Sequence, residues 1–210
     1  MYVPAAFQQH DLAQLHGLIR QQPLATLISQ GGEGLQACHL PLWLAADEGA
    51  YGTLYGHCAR ANPQWHALTK GGESLAIFTG ADAYISPTWY PSKTAHGKAV
   101  PTWDYQSVHA YGQAEVFDDA ERLLQLLGRL TEQHESPQPQ PWAIADAPPE
   151  YIAQMLRAIV GFSLPIQRLE GQWKLSQNRS SEDRAGVQQA LDASPDAGAQ
   201  QLAQQMKTMR

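Results

Sequence analysis

Behind Asp11, hydrophobic residues recur at helical spacing at Leu12, Leu15, Leu18 and Ile19, and Pro23 closes the pattern, so residues 11–21 read as a capped amphipathic helix. The period then changes to two. Leu24–Ser29, Leu35–Leu44 and Tyr51–His57 are separated by Gly31-Gly32-Glu33-Gly34 and Asp47-Glu48-Gly49, the spacing of a β-meander with short turns. Asn62 and Pro63 stand as N-cap and first residue of a short helix carrying Trp65, His66, Leu68 and Thr69, which Gly71-Gly72 ends.

Strand patterning resumes at Ser74–Thr79 and Ala83–Ser86, before residues 87–101, whose prolines and glycine suit a long ordered loop. Thr102–Phe117 is rich in β-formers and reads as one long strand with a bulge near Gly112. Asp118-Asp119 cap a helix with Leu123, Leu124, Leu126, Leu127 and Leu130. A proline-rich connector leads to a helix over Glu150–Val160 ended by Gly161. Phe162–Leu169 and Gln172–Gln177 read as a closing hairpin around Glu170-Gly171. Helical spacing returns from Ser181 through Leu191. Residues 192–210 form an Ala/Gln-rich tail with weak spacing at Leu202, Met206 and Met209, expected to fray or to await a partner. Antiparallel strands interrupted by helices, without βαβ alternation, predict an α+β, mainly β chain: a small β-barrel decorated with helices. The domain is expected over 1–191, followed by the tail 192–210.

Composition narrows the function classes. Hydrophobic residues make up 43% of the 210 and charged residues only 16%, which describes a core-forming globular chain and excludes disorder for most of its length. The net charge of −6 repels polyanions and weighs against a direct grip on DNA. Acid concentrates over residues 111–160, leaving the surroundings of Arg60 and Arg179 as places for a small anion. The start lacks a basic-then-apolar leader and there is no run of about 18 apolar residues, so a soluble cytoplasmic protein without membrane attachment is expected. Two cysteines, Cys38 and Cys58, fit a reducing compartment; a single bridge between them is the alternative.

Three segments could carry chemistry. Gly56-His57-Cys58-Ala59-Arg60-Ala61-Asn62-Pro63 sets an Arg and a His between a strand end and a helix start, where free N–H groups and a guanidinium suit a phosphate. Arg60 reads equally well as a salt-bridging residue. Lys174-Leu175-Ser176-Gln177-Asn178-Arg179 places alternate polar residues at a second strand end, either to grip an anion or to face solvent and cap a helix. Trp89, Tyr90, Trp103 and Tyr105, with Lys93, form aromatic stretches that suit a planar ligand or a core edge or dimer interface. There is no HExxH, G-x-S-x-G, P-loop or G-x-G-x-x-G pattern, and Asp82 and Asp104 are isolated acids, so metal-dependent, hydrolase and dinucleotide-fold readings lose support.

His39-Leu40-Pro41-Leu42, Gly56-His57 with Ala59-Arg60-Ala61-Asn62-Pro63, Tyr84-Ile85-Ser86-Pro87 with Trp89-Tyr90, Val100-Pro101-Thr102-Trp103, Val108-His109-Ala110-Tyr111-Gly112 and Lys174–Arg179 occur in order. Together they resemble the PaiB family of FMN-binding negative transcriptional regulators, from Met1 to about Leu191. The resemblance implies an FMN-binding split β-barrel of the pyridoxamine-phosphate-oxidase type, a homodimer with FMN at the subunit interface. It implies a flavin ring along His39, Leu40 and Pro41, and a phosphate near His57, Arg60 and Asn62. Lys93, Thr102 and Trp103 would close the site, and Lys174, Gln177 and Arg179 would contribute from the closing strand. Two positions depart from the family pattern: Asp104 stands where Asn is usual and Gln172 where Lys is usual, and both changes remove or oppose positive charge.

The functions implied are an FMN-binding negative transcriptional regulator or a flavin-dependent redox protein, with no catalytic acid or base assignable. Alternatives are a haem-binding or haem-degrading relative, with His39, His57 or His109 as iron ligand, and a dimeric regulator that has lost flavin.

Overall fold

The structure is a computed structural model that describes residues 1–32 and 34–208, for Ala95 and His96 the backbone alone. Glu33 of the expected turn and Met209 of the expected tail pattern lie outside the described residues. In chain order the elements are β1 (Gln8–Gln9), α1 (Leu12–Gln21), β2 (Leu24–Gly31), β3 (Gly34–Pro41), β4 (Trp43–Ala45), β5 (Thr53–Ala59), α2 (Gln64–Leu68), β6 (Glu73–Ile85), α3 (Ser92–His96), β7 (Thr102–Gln113), β8 (Glu115–Phe117), α4 (Ala120–Glu135), α5 (Pro149–Arg157), β9 (Ile159–Lys174), α6 (Ser181–Asp192) and α7 (Ala197–Thr208). Short 3₁₀ turns lie at Ala5–Phe7, Pro87–Trp89 and Ile144–Asp146. Among the described residues no helix is long and apolar enough to cross a membrane.

The antiparallel α+β class holds, but the split β-barrel does not. The strands follow one open path, β3-β2-β6-β7-β9-β5-β4, with β1 and β8 also paired to β9. A barrel needs its first and last strands to pair. Here β3 is an edge with no fully buried residue, and Pro41 ends it. At the other end β4 is three residues long and is followed by the Asp47–Gly49 turn. The expected meander is therefore two hairpins: β2 pairs with β3 from Leu24↔Pro41 to Gly31↔Gly34, and β4 pairs with β5.

Two glycines that look like punctuation serve close packing instead. Gly161 and Gly171 lie inside β9, a continuous 16-residue strand, where a helix end and a hairpin turn were expected. A Cβ on Gly161 would sit 2.4 Å from Phe117 Cε2, and one on Gly171 would sit 2.2 Å from Leu15 Cδ2. Neither has a positive φ, so close approach rather than a turn requires glycine here.

The chain divides into two compact units: Met1–Leu18, Thr79–Val108 and Glu170–Arg210 in the first, Ile19–Phe78 and His109–Leu169 in the second. In the second unit Asp119 Oδ1 accepts from Arg122 N at 2.9 Å to start α4, as its sequence position predicts. The leucine stripe of α4 then buries Leu123, Leu126 and Leu130 with Phe117, against Trp43, Tyr55, Leu156 and Ile159. In the first unit α7 packs on α6, with Ala199, Leu202, Ala203 and Met206 buried, so the tail is a docked helix and not a frayed one. Arg184 donates to the Met206 carbonyl at 2.8 Å, and Lys207 pairs with Asp192 at 2.8 Å.

Candidate functional site

The first unit gathers three chain segments around one buried acid. Neighbours on β7 alternate faces, so Trp103 is exposed while Asp104 is 1% exposed. Ser176 Oγ donates to Asp104 Oδ2 at 2.6 Å, and Lys174 Nζ lies 3.4 Å from Asp104 Oδ1. Lys174 Nζ also donates to Thr102 Oγ1 at 2.6 Å and to the Trp103 carbonyl. β9 ends at Lys174. Ser176 then turns the chain at φ 57°, the one positive φ outside glycine among the described residues. That conformation costs about 1–3 kcal/mol for a non-glycine residue, and such outliers cluster at functional sites. The turn is held by Gln177, whose Oε1 accepts from Leu175 N at 2.6 Å and whose Nε2 donates to the Trp173 carbonyl.

The third segment carries Tyr90. Its ring lies 4.8 Å beneath the Arg179 guanidinium, and the same Arg179 side chain acts on its buried hydroxyl. Asp183 on α6 fixes the approach by accepting from Ser92 N at 3.0 Å and Ser92 Oγ at 2.7 Å. Gly186 lets α6 come close, since a Cβ there would lie 2.2 Å from the Trp89 carbonyl oxygen. Burial pushes the Asp104 carboxyl above its ordinary value, against the opposing pull of the Ser176 hydroxyl, Lys174 and Arg179. Burial likewise raises Tyr90, with Arg179 opposing. Beside this cluster Trp103 meets Tyr84 edge to face at 6.0 Å, leaving a half-exposed aromatic surface.

Of the residues expected from the sequence, Thr102, Trp103, Lys174, Gln177 and Arg179 thus come together, while Lys93 is an exposed residue of α3. The others lie in the second unit. His39 Nδ1 meets Thr26 Oγ1 at 3.1 Å across the β2–β3 ladder, and Leu40 and Pro41 follow it. The His57 Nδ1 is buried without a hydrogen-bond partner among the described residues, and burial lowers that ring's affinity for a proton. Asn62 Oδ1 caps α2 by accepting from Gln64 N at 3.0 Å. Arg60 is engaged by protein: Nε donates to the Arg157 carbonyl at 3.0 Å, and one terminal nitrogen to the Ile159 carbonyl at 3.2 Å and Asp118 Oδ2 at 3.5 Å. The sequence left Asp104 as an isolated acid where the family usually has Asn, and Ser176 on a strand face that either grips an anion or faces solvent. The available signal was an acid inside a run of β-formers, where only a partnered one is buried.

Among the described residues no group of three or more His, Cys, Asp and Glu could hold a metal ion. Residues 1–168 match the family model described as "Putative FMN-binding domain". The chain belongs to this FMN-binding family. Over 207 residues it is 30% identical to "Protease synthase and sporulation protein PAI 2" of Bacillus subtilis, covering 99% of this chain and 97% of that protein. Among solved structures, the flavocytochrome Anf3 from Azotobacter vinelandii superposes with a TM-score of 0.57 at 17% identity, covering 85% of this chain and 75% of that one. The FAD and heme binding protein from Mycobacterium smegmatis gives 0.56 at 19%, covering 85% and 78%. Those two likenesses are of fold alone. Family membership carries a flavin-binding capability, and the Asp104 cluster offers groups that suit a flavin phosphate and ring in kind: two cations set against one buried carboxylate, the Thr102 hydroxyl, the buried Tyr90 hydroxyl and an aromatic surface.

Proposed function

We propose that the protein binds FMN and that the Asp104 cluster of the first unit holds the cofactor's phosphate end. The observation that carries this reading is the convergence of Lys174, Ser176 and Arg179 about Asp104, beside the buried Tyr90, in a chain of an FMN-binding family. Lys174 and Arg179 supply charge, Thr102 supplies a hydroxyl while the Ser176 hydroxyl stays donated to Asp104, and Trp103 with Tyr84 offers a face for a planar ring. Asp104 orients Lys174 and Ser176 and limits the net positive charge. Bound FMN supplies redox chemistry, passing one or two electrons, and the chain's own part is to bind and orient it. The relative named for protease synthesis and sporulation favours a regulatory role over a metabolic one. At a net charge of −6 that role runs through a protein partner rather than a direct grip on DNA.

The test is titration of the full chain with FMN, read by flavin fluorescence and visible absorbance. Saturable binding is expected. Arg179→Ala, which removes one charge-assisted contact worth about 1.5–3 kcal/mol, is expected to weaken it about 10- to 100-fold. Wild-type affinity in folded Arg179→Ala and Lys174→Ala variants overturns the assignment, and loss confined to Arg60→Ala moves the phosphate to the second unit.

A further inference from the structure

Within the second unit, α5 is amphipathic, yet none of its residues is fully buried. Its apolar side faces a groove along α4, a cavity of about 670 Å³ walled by Leu124, Gly128, Ile144, Ala147, Ile152 and Leu156, with no charged or hydrogen-bonding side chain in its lining. That volume lies within the range of small-molecule sites. A second cavity, of about 520 Å³, shares Ala153 and Leu156 as walls and adds Ala120, Arg60, Arg157 and Asp118. The two adjoin along the helix pair across Ala153 and Leu156, apolar at the Gly128 end and cationic at the Ala120 end. From Ala120 to Gly128 they run about 12 Å at 1.5 Å per residue.

We propose that this groove binds a medium-chain aliphatic carboxylate, its chain in the apolar part and its carboxylate on Arg157 and Arg60. Charge fixes the polarity of the ligand. The Arg157 guanidinium makes no ion pair or hydrogen bond with another described residue. The Arg60 guanidinium spends Nε on the Arg157 carbonyl and one terminal nitrogen on the Ile159 carbonyl and the exposed Asp118, at 3.5 Å, which among the described residues leaves its other terminal nitrogen for the ligand, and the positive N-terminal end of α4 adjoins both arginines. The apolar stretch selects the rest of the ligand. An extended peptide laid there would bury N–H and C=O groups with nothing to pair them, whereas an acyl chain has none.

Gly128 is a third, separate observation. In the interior of a 16-residue helix glycine is disfavoured against alanine, and a Cβ at Gly128 would meet nothing within 4 Å. Nothing in the helix requires glycine. Its missing side chain keeps the groove open.

The test uses the full chain in calorimetric titrations with decanoate and with decanol. Decanoate is expected to bind saturably, one per chain, and decanol at least tenfold more weakly. Arg157→Ala brings decanoate down about tenfold, toward decanol. Gly128→Leu, which fills the groove and improves the helix, abolishes binding of both, and Ala153→Leu repeats the block from the facing helix. Circular dichroism and FMN titration of the same variants report that each is folded. No saturable decanoate binding, equal affinity for decanoate and decanol, or binding that survives both leucine variants overturns the proposal. So does a dimer that Gly128→Leu splits while decanoate is silent, which gives the groove to a second copy of the chain.

Discussion

Replacement of Asp104 separates two effects that the fold combines at one side chain. Asp104→Asn keeps an acceptor oxygen for the Ser176 hydroxyl and nearly the same shape, and removes the charge. Asp104→Ala removes both, leaving Ser176 Oγ, buried in a residue that is 3% exposed, without its 2.6 Å acceptor. A buried hydroxyl left unmatched costs about 1–3 kcal/mol, so the alanine variant should unfold about 2–12 °C below the asparagine variant in a chain of this length. The charge shows in the pH dependence. Because burial raises the folded-state carboxyl above its ordinary 3.8, the folded chain holds that proton more tightly than the unfolded chain. The stability given by the neutral acid is fully present below 3.8 and is lost as pH rises through the raised folded value. Asparagine suffers no such loss, so wild type should lose ground to Asp104→Asn as pH rises, by about 1.4 kcal/mol for each pH unit that separates the folded from the unfolded titration of the carboxyl. Urea unfolding midpoints of the three proteins from about pH 3 to about pH 8 measure both effects. Wild type gaining on the asparagine variant over that range would refute the dominance of burial. Equal stability of the two variants would remove the Ser176 bond from the account.

Gly161→Ala should destabilise by about 1–3 kcal/mol through its clash with Phe117, whereas alanine for glycine in an open strand would stabilise; the urea midpoint decides. Met206→Ala, in a residue 2% exposed on α7, should cost about 2–5 kcal/mol, and an unchanged midpoint would return the tail to a frayed state. Burial pushes the Cys58 thiol up to about 11 and also raises Cys38, which is only half-buried. Mass spectrometry after iodoacetamide treatment should therefore find Cys38 modified first and Cys58 only after unfolding; equal rates would contradict the burial of Cys58.

Local patterns alone determined much of this protein. The Asp119 cap, the leucine stripe of α4, the β2–β3 hairpin and the ordered motifs of an FMN-binding family follow from residue spacing, because caps, helical periods and turns are chemistry between near neighbours. What the sequence could not decide depends on which distant surfaces meet. Gly161 and Gly171 are indistinguishable from turn glycines until Phe117 and Leu15 are brought against them. The tail looks too polar to dock until α6 offers the surface that its leucine and methionine fill. Arg60 has the credentials of a phosphate ligand, but the carbonyls of residues 157 and 159, about a hundred positions away, engage its guanidinium. Asp104 reads as an isolated acid because its partners, Lys174 and Ser176, lie some 70 residues on and reach it only when the end of β9 comes beside the start of β7. Closure failed for the same reason: strand patterns set which face is buried, but pairing the first and last strands depends on lengths and edges that only the assembled sheet fixes.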